Sequence, residues 1–298
     1  MELREIEIFL TLADELHFGR TAERLRLTPA RVTQAIKKQE RQIGALLFER
    51  TSRTVRLTPI GEQLRNDLWP LYAGLHDSVQ RAKIAAQGKT AQLRIGLIPA
   101  NGHDLRPYWA AFRTHHPHCD LQLRHNPFVD PFGRLRRGEV DILLTWLPVE
   151  EPDLTVGPTV FRDPRLLAVA ADHELAERPS VSLEDISYFR HSGLPRSFPR
   201  YWEESFVPFH TSRGHTIERG PLVTNNDELF HLVSVGETVN LMAGHMPRYF
   251  ARPDISWLPI TDLSPLAFGL VWRTEMENDL IRAFARVVAD LGTLHNRF

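Results

Sequence analysis

The sequence predicts a mainly α N-terminal winged helix-turn-helix followed by a larger α/β domain. Three observations predict it. Residues 20–58 hold ten Arg and Lys against three Glu, in a 298-residue chain whose formal net charge is −1. The start signal Leu-Thr-Pro occurs at 27–29 and again at 57–59. Beyond Thr90, short apolar runs alternate with amphipathic segments, the texture of strands and helices packed in layers.

A local basic block on a near-neutral chain is an electrostatic footprint for a polyanion. A solvated helix face would account for the charge alone, so the pattern inside the block matters. A first helix is expected over 3–16, with Leu3, Ile6, Leu10 and Ala13 as its inner stripe and Phe9 alongside. Its expected role is to complete a three-helix core, with Phe18 as a plug. A short helix follows over 20–25. Thr28 is then an N-cap and Pro29 a first helical residue, opening a helix Pro29–Ile43 that Gly44 stops. Val32, Ala35, Ile36, Gln39 and Ile43 fall on its inner face; Arg31, Thr33, Gln34, Lys37 and Lys38 fall on the outer face. Two helices joined by a three-residue turn outline a helix-turn-helix, whose second helix enters the major groove. Two short strands flanking Thr51-Ser52-Arg53 make a wing, with Arg50 and Arg53 placed to reach phosphates or a minor groove.

The second Leu-Thr-Pro opens a long helix to about residue 86, ended by Gly88. Leu64, Leu68, Leu71 and Leu75 recur at steps of four, three and four, the spacing of a dimer seam. An amphipathic helix lying on a globular core is the alternative. Pro70 removes one backbone donor and is expected to kink the helix between Trp69 and Leu71. After a boundary at 87–90, strands are expected at 93–98, 120–124, 140–144, 166–170, 239–242, 255–260 and 267–273. Helices or helical turns are expected at 105–114, 131–137, 183–186, 227–235, 246–250 and 278–294. This alternation implies a parallel sheet with helices on both faces.

The unbroken run LHFGRTAERLRLTPARVTQAIKKQERQIGALLFERTSRTVRLTPIGE resembles the winged helix-turn-helix of LysR-type transcriptional regulators. The resemblance is close over about the first sixty residues and continues beyond them in the order of elements and the overall length. It implies a sequence-specific regulator that binds double-stranded operator DNA as a homodimer or homotetramer and answers to a small-molecule effector. The implied domains are a DNA-binding domain at 1–58, a linker and dimerisation helix at 59–88 and an effector-binding domain at 91–298. The last would fold as two Rossmann-like halves, periplasmic-binding-protein-like, with 91–160 and 266–298 in half I and 161–265 in half II. Thr28-Pro29-Ala30 and Arg31 depart from the Ser-Gln start and small residue frequent in relatives, which bears on the operator read. Gly236-Glu237-Thr238 replaces a usual Gly-x-Gly turn.

Ligands of doubly wound sheets gather at the carboxyl ends of strands, near helix N-termini. Those places hold Asn101 and Gly102, Thr145 and Trp146, His191 and Ser192, and Thr224 and Asn225. The resemblance makes them the lining of the effector pocket; loop capping is the plainer reading of each. The amides and hydroxyls would orient a neutral polar or weakly anionic molecule, with Trp146 stacked on it.

No G-x-S-x-G, P-loop or G-x-G-x-x-G motif occurs, so no enzyme and no cofactor is expected. His173-Glu174-Leu175-Ala176-Glu177 resembles a zinc motif without its second histidine. His115-His116-Pro117-His118-Cys119 is too contiguous to converge on one ion, and no metal site is expected. Cys119 is the one cysteine, which fits a reduced compartment. No run approaches the ~18–20 apolar residues of a membrane span, and the acidic N-terminus has no signal-peptide character; a cytoplasmic protein is expected. A solute-binding module whose N-terminal domain no longer binds DNA is the alternative function. An enzyme on the α/β domain is a third, without a motif to carry it.

Overall fold

The computed structural model describes residues 1–50, 55–86, 88–195 and 198–295, in two compact units, Met1–Gln87 and Gly88–Phe298. In the first unit, caps decide where each helix starts. Helix α1 (Leu3–Glu15) is followed by α2 (Phe18–Leu25), which begins two residues before the expected start because the His17 ring accepts the Arg20 N–H at 3.2 Å. Helix α3 (Pro29–Ile43) opens on Thr28, whose hydroxyl accepts the Arg31 N–H at 3.3 Å, and closes on Gly44 at φ 80°. Strands β1 (Phe48–Arg50) and β2 (Val55–Leu57) pair antiparallel. Helix α4 (Pro59–Ala86) then runs as one element through Pro70. Its start is fixed by Thr58, which accepts the Gly61 N–H at 3.0 Å. Gly61 is required there, because a Cβ would lie 2.2 Å from the Leu47 carbonyl oxygen.

Phe9, Leu12, Ala22, Val32, Ile36, Leu47 and Phe48 form the core of this unit. Burying each large apolar side chain contributes about 1.5–3 kcal/mol. The inner stripe of α1 differs from expectation. Leu3 is 50% exposed, and Ile8, Phe9, Leu10, Leu12 and Ala13 are buried. Three helices, α2, α3 and α4, pack on α1 and widen its buried face beyond a single stripe. Ile43 is also exposed, at the last turn of α3, and Phe18 covers the edge of the core, half-buried.

The second unit holds strands β3 (Ala91–Leu97), β4 (Cys119–His125), β5 (Ile142–Trp146) and β6 (Leu154–Asp163), with helices α5 (Arg106–His115) and α6 (Gly133–Arg136) between them. Strand β7 (Arg165–Ala170), α7 (Leu183–Ile186), β8 (His191–Gly193), α8 (Arg200–Phe206), β9 (Arg219–Leu222), α9 (Asn226–Ser234), β10 (Asn240–Ala243), α10 (Met246–Tyr249) and β11 (Ile255–Pro259) follow. The chain ends in β12 (Leu266–Arg273), α11 (Asp279–Leu291) and a short β13 (Leu294–His295).

The expected wholly parallel sheet is corrected. A six-stranded sheet has the order β13-β6-β12-β5-β3-β4. Strands β3, β4 and β5 are parallel, but β12 inserts antiparallel between β5 and β6. A second sheet, β10-β7-β11, is antiparallel throughout. The cause is connectivity. Strand β6 passes into β7 across Pro164 with no helical crossover, and β11 passes back into β12 by a loop. Both junctions carry the chain from one sheet to the other, so β12 enters the larger sheet from the second one and is not held to the parallel direction that a helical crossover between neighbours imposes. The aromatic contacts Trp109–Phe284 and Phe112–Phe284, with centroids 5.6 and 5.4 Å apart, pack α5 on α11 beside the larger sheet. No described helix is long and apolar enough to cross a membrane.

Candidate functional site

On the first unit, the outer face expected to read DNA belongs to α3. Val32, Ile36 and Gln39 are buried beneath it, and the Gln39 side-chain amide donates to the Glu5 carbonyl at 2.8 Å. Arg31, Gln34 and Lys37 face solvent from the opposite side. Thr33 is half-buried, and its hydroxyl donates back to the Pro29 carbonyl at 2.9 Å.

Two of the expected DNA contacts have other work. Lys38 lies 2.5 Å from the Glu5 carboxylate, which holds the lysine above its ordinary pKa and Glu5 below its own. Arg50 bonds the Glu40 carboxylate at 3.1 Å and lies over the Phe18 ring at 4.6 Å. Glu40 is buried, and it also accepts the backbone N–H groups of Leu47 and Phe48 at 3.1 and 3.3 Å. One carboxylate thus ties the end of α3 to the start of the wing, a role hidden in the sequence. Arg20 and Arg24 pair with Glu15, and Arg24 with Asp14 as well, so acids of α1 neutralise part of the basic block. Arg53 lies outside the described residues.

The expected dimer seam divides. Leu64 and Leu68, with Trp69 and Tyr72, pack against the core of their own unit. Leu71 and Leu75 are 71% and 46% exposed and continue in line with exposed Val79.

In the second unit, a pocket of about 100 Å³ is lined from both sheets. That is smaller than an apolar cavity of ~150 Å³ that holds benzene. Of the eight expected effector residues, Trp146 and Ser192 line it. Trp146 is not free to stack on a ligand with both faces. Its ring stacks on Trp202 at 3.5 Å and 6°, and each indole N–H donates to the other residue's carbonyl, at 3.4 and 3.1 Å. Ser192 is bonded to the Asn240 amide at 2.7 Å.

The other six lie off the wall. Ile98, Pro99 and Ala100 line the pocket where Asn101 and Gly102 were expected, while Asn101 is turned inward and fully buried. Thr145 is buried too, because alternation along β5 points it away from the face that Trp146 occupies. His191 is buried and borders the wall only through its neighbour Ser192. Thr224 and Asn225 are exposed and consumed by capping. The Thr224 hydroxyl donates to Glu228 at 2.8 Å, and Asn225 accepts the Glu228 N–H at 2.9 Å. Asn226 lines the pocket instead.

The sequence reading missed Glu203, Arg219 and His245 on the wall. Arg219 bonds Glu203 at 2.8 Å and the Val207 carbonyl at 2.7 Å, so its charge is already engaged. Its signal in the sequence was slight, since β9 and α8 are short and lack a clear period. Among the described residues, no group of three or more His, Cys, Asp or Glu is arranged to hold a metal ion. His116 stacks on Phe112 at 4.7 Å, and burial pushes the Cys119 thiol up to about 11.

Burial, reinforced by Arg219, depresses the His191 imidazole to about 3. Between about pH 6.5 and 3, the unfolded chain binds a proton that the folded chain refuses. Stability is therefore complete above that window and falls as pH drops through it, by about 1.4 kcal/mol per pH unit. Urea unfolding at pH 7 and pH 5 will register a loss of about 2 kcal/mol from this residue, and His191→Gln will reduce the pH slope accordingly. An unchanged slope in the variant contradicts the assignment.

The sequence matches the family described as "LysR substrate binding domain" over residues 86–292 and "Bacterial regulatory helix-turn-helix protein, lysR family" over residues 3–62. It is 26% identical over 292 residues to the HTH-type transcriptional regulator AlsR of Bacillus subtilis, covering 96% of this chain and 95% of that protein. It is 31% identical over 290 residues to YnfL of Escherichia coli, an HTH-type transcriptional regulator, covering 91% and 92%. A crystal structure of full-length CbnR complexed with target DNA shares the fold at a TM-score of 0.64 and 18% identity, over 98% of this chain and 100% of that one.

Proposed function

The chain belongs to the LysR family of bacterial transcriptional regulators, and from that premise we infer how its own residues divide the work of an effector-controlled, operator-binding protein. The observation that carries the reading is α3. Its inner face is locked by Gln39 and Glu40, and its outer face offers Arg31, Gln34 and Lys37 to solvent. Gln34 and Arg31 read base edges, and Thr33 contributes its methyl face. Lys37 and Arg53 hold phosphates, while Lys38 and Arg50 act chiefly by holding the reading head together.

Gln34→Ala will cost about 1–3 kcal/mol at the operator and change base preference. Arg53→Ala will weaken all sequences alike and lower the dependence on salt. Gel shifts across a salt series on the intergenic DNA upstream of the gene measure both. Normal binding by Gln34→Ala at every site, with an unchanged salt slope for Arg53→Ala, contradicts the assignment.

The exposed row Leu71, Leu75 and Val79 supports dimerisation through α4, giving paired heads for paired half-sites. The pocket between the two sheets receives the effector, which acts by binding their closed and open arrangements unequally. The reading makes the protein a cytoplasmic regulator with no catalytic role, no cofactor and no membrane partner. A match to the DNA-binding family over residues 3–62 and an ordered helix-turn-helix disfavour a solute-binding module with a non-functional head.

A further inference from the structure

We propose that His245 is the polar anchor of the pocket and that it selects a small aromatic molecule bearing one hydroxyl group; this rests on the pocket being the effector site. Six polar residues line the pocket: Ser192, Glu203, Arg219, Asn226, Asn240 and His245. Four are committed to one another, Glu203 to Arg219 at 2.8 Å and Ser192 to Asn240 at 2.7 Å. Asn226 is half-exposed at the start of α9. His245 is different. It is 1% exposed, and its Nε2 has no hydrogen-bond partner among the described residues.

The other side of the ring is fixed. Asp163 accepts from His245 Nδ1 at 2.6 Å and from the His245 backbone N–H at 2.9 Å. A carboxylate accepts only, so Nδ1 carries a proton, and in the Nδ1–H tautomer Nε2 is an acceptor. Phe161, Tyr249 and Phe268 surround the imidazole edge-on at 6.1, 6.1 and 5.9 Å, and hold its orientation. An acceptor so placed, among aromatic rings, asks for a ligand with an O–H donor. The remaining wall sets the body of that ligand: Phe128, Trp146, Phe198, Phe206 and Phe268 are aromatic. At about 100 Å³, below the ~150 Å³ that holds benzene, the pocket takes no more than a single ring and must widen to take it.

The anchor also sits where the two sheets join. Asp163 ends β6, Pro164 follows it, and the Pro164 carbonyl accepts the Gly244 N–H at 2.9 Å beside His245. A ligand bonded to Nε2 bears directly on the strand that crosses between the sheets.

Titration calorimetry of the full chain with phenol and with toluene tests the proposal, since the pair differs in the hydroxyl alone. The wild type will bind phenol at least tenfold tighter than toluene. His245→Asn keeps an amide donor toward Asp163, removes the acceptor at Nε2 and will erase the preference. His245→Gln, whose longer amide reaches the Nε2 position, will retain part of it. Equal binding of the two probes by the wild type, no binding of phenol, or a preference that survives His245→Asn overturns the proposal. Operator gel shifts with phenol separate it from the effector reading. Phenol bound through His245 with no change in operator affinity leaves the anchor standing and defeats the regulatory role of the pocket.

Discussion

Glu40→Ala will destabilise the DNA-reading unit by about 3 kcal/mol and abolish operator binding at ordinary temperatures. The Glu40 carboxylate satisfies two backbone donors, Leu47 and Phe48, and the Arg50 guanidinium. Removing it strands two buried N–H groups and unpairs a partly buried cation. Each unsatisfied donor costs about 1–3 kcal/mol, and breaking a buried charge pair costs about 3–5 kcal/mol. Arg50 is partly open to water, so its pair contributes well below that range, about 1 kcal/mol. Glu40→Gln keeps the acceptor for both backbone donors and loses the charge facing Arg50, and will cost roughly 1 kcal/mol. Urea unfolding of both variants, followed through the first unit, gives the comparison. A Glu40→Ala loss below about 0.5 kcal/mol would place the junction of helix and wing in other hands.

The double substitution Leu71→Lys and Leu75→Lys will convert the protein to monomers and lower operator affinity by more than about a hundredfold, because linked half-sites bind far more tightly than either alone. Leu71, Leu75 and Val79 stand at i, i+4 and i+8 on one exposed face of α4. Burial of each leucine in a seam contributes about 1.5–3 kcal/mol per protomer, and a lysine in its place brings an unpaired charge into the contact. Leu64 and Leu68 would be poor probes, since they pack on their own reading head and their loss would unfold it. Sedimentation velocity reads the assembly directly, and thermal unfolding of the same samples checks that the second unit is intact. A double variant that stays dimeric and still shifts the operator would contradict the seam.

The parts legible in the sequence are those written in local chemistry. Thr28, Pro29 and Gly44 bound α3 because an N-cap, a fixed φ and a left-handed stop act within a few residues. Strand runs such as Ile142–Trp146 were visible from their apolar character. Strand direction was not, since alternation carries no record of which neighbour a strand meets. Strand β6 was missed because Gly157 and Pro158 interrupt it. Gly157 is there for the Trp272 ring, which a Cβ would approach to 2.3 Å. The wall of the pocket was read poorly for a similar reason. Thr224 and Asn225 have the composition of a binding loop, and they spend it on Glu228. Arg219, Glu203 and His245 acquire their place from three separate elements of the second unit, and no spacing in the chain announces that. Lys38 and Arg50 show the same limit in the head. Each pairs with an acid distant in sequence, Glu5 and Glu40, and no spacing in the chain announces those pairs.

The most direct test of the whole reading is a nuclease footprint of the full chain on the intergenic DNA upstream of its gene, at a salt concentration where non-specific binding has faded. Two protected half-sites separated by one helical turn or a multiple of it, both lost together in Gln34→Ala, are the predicted result. Uniform protection without half-sites, or a footprint that Gln34→Ala leaves unchanged, would contradict operator reading by α3.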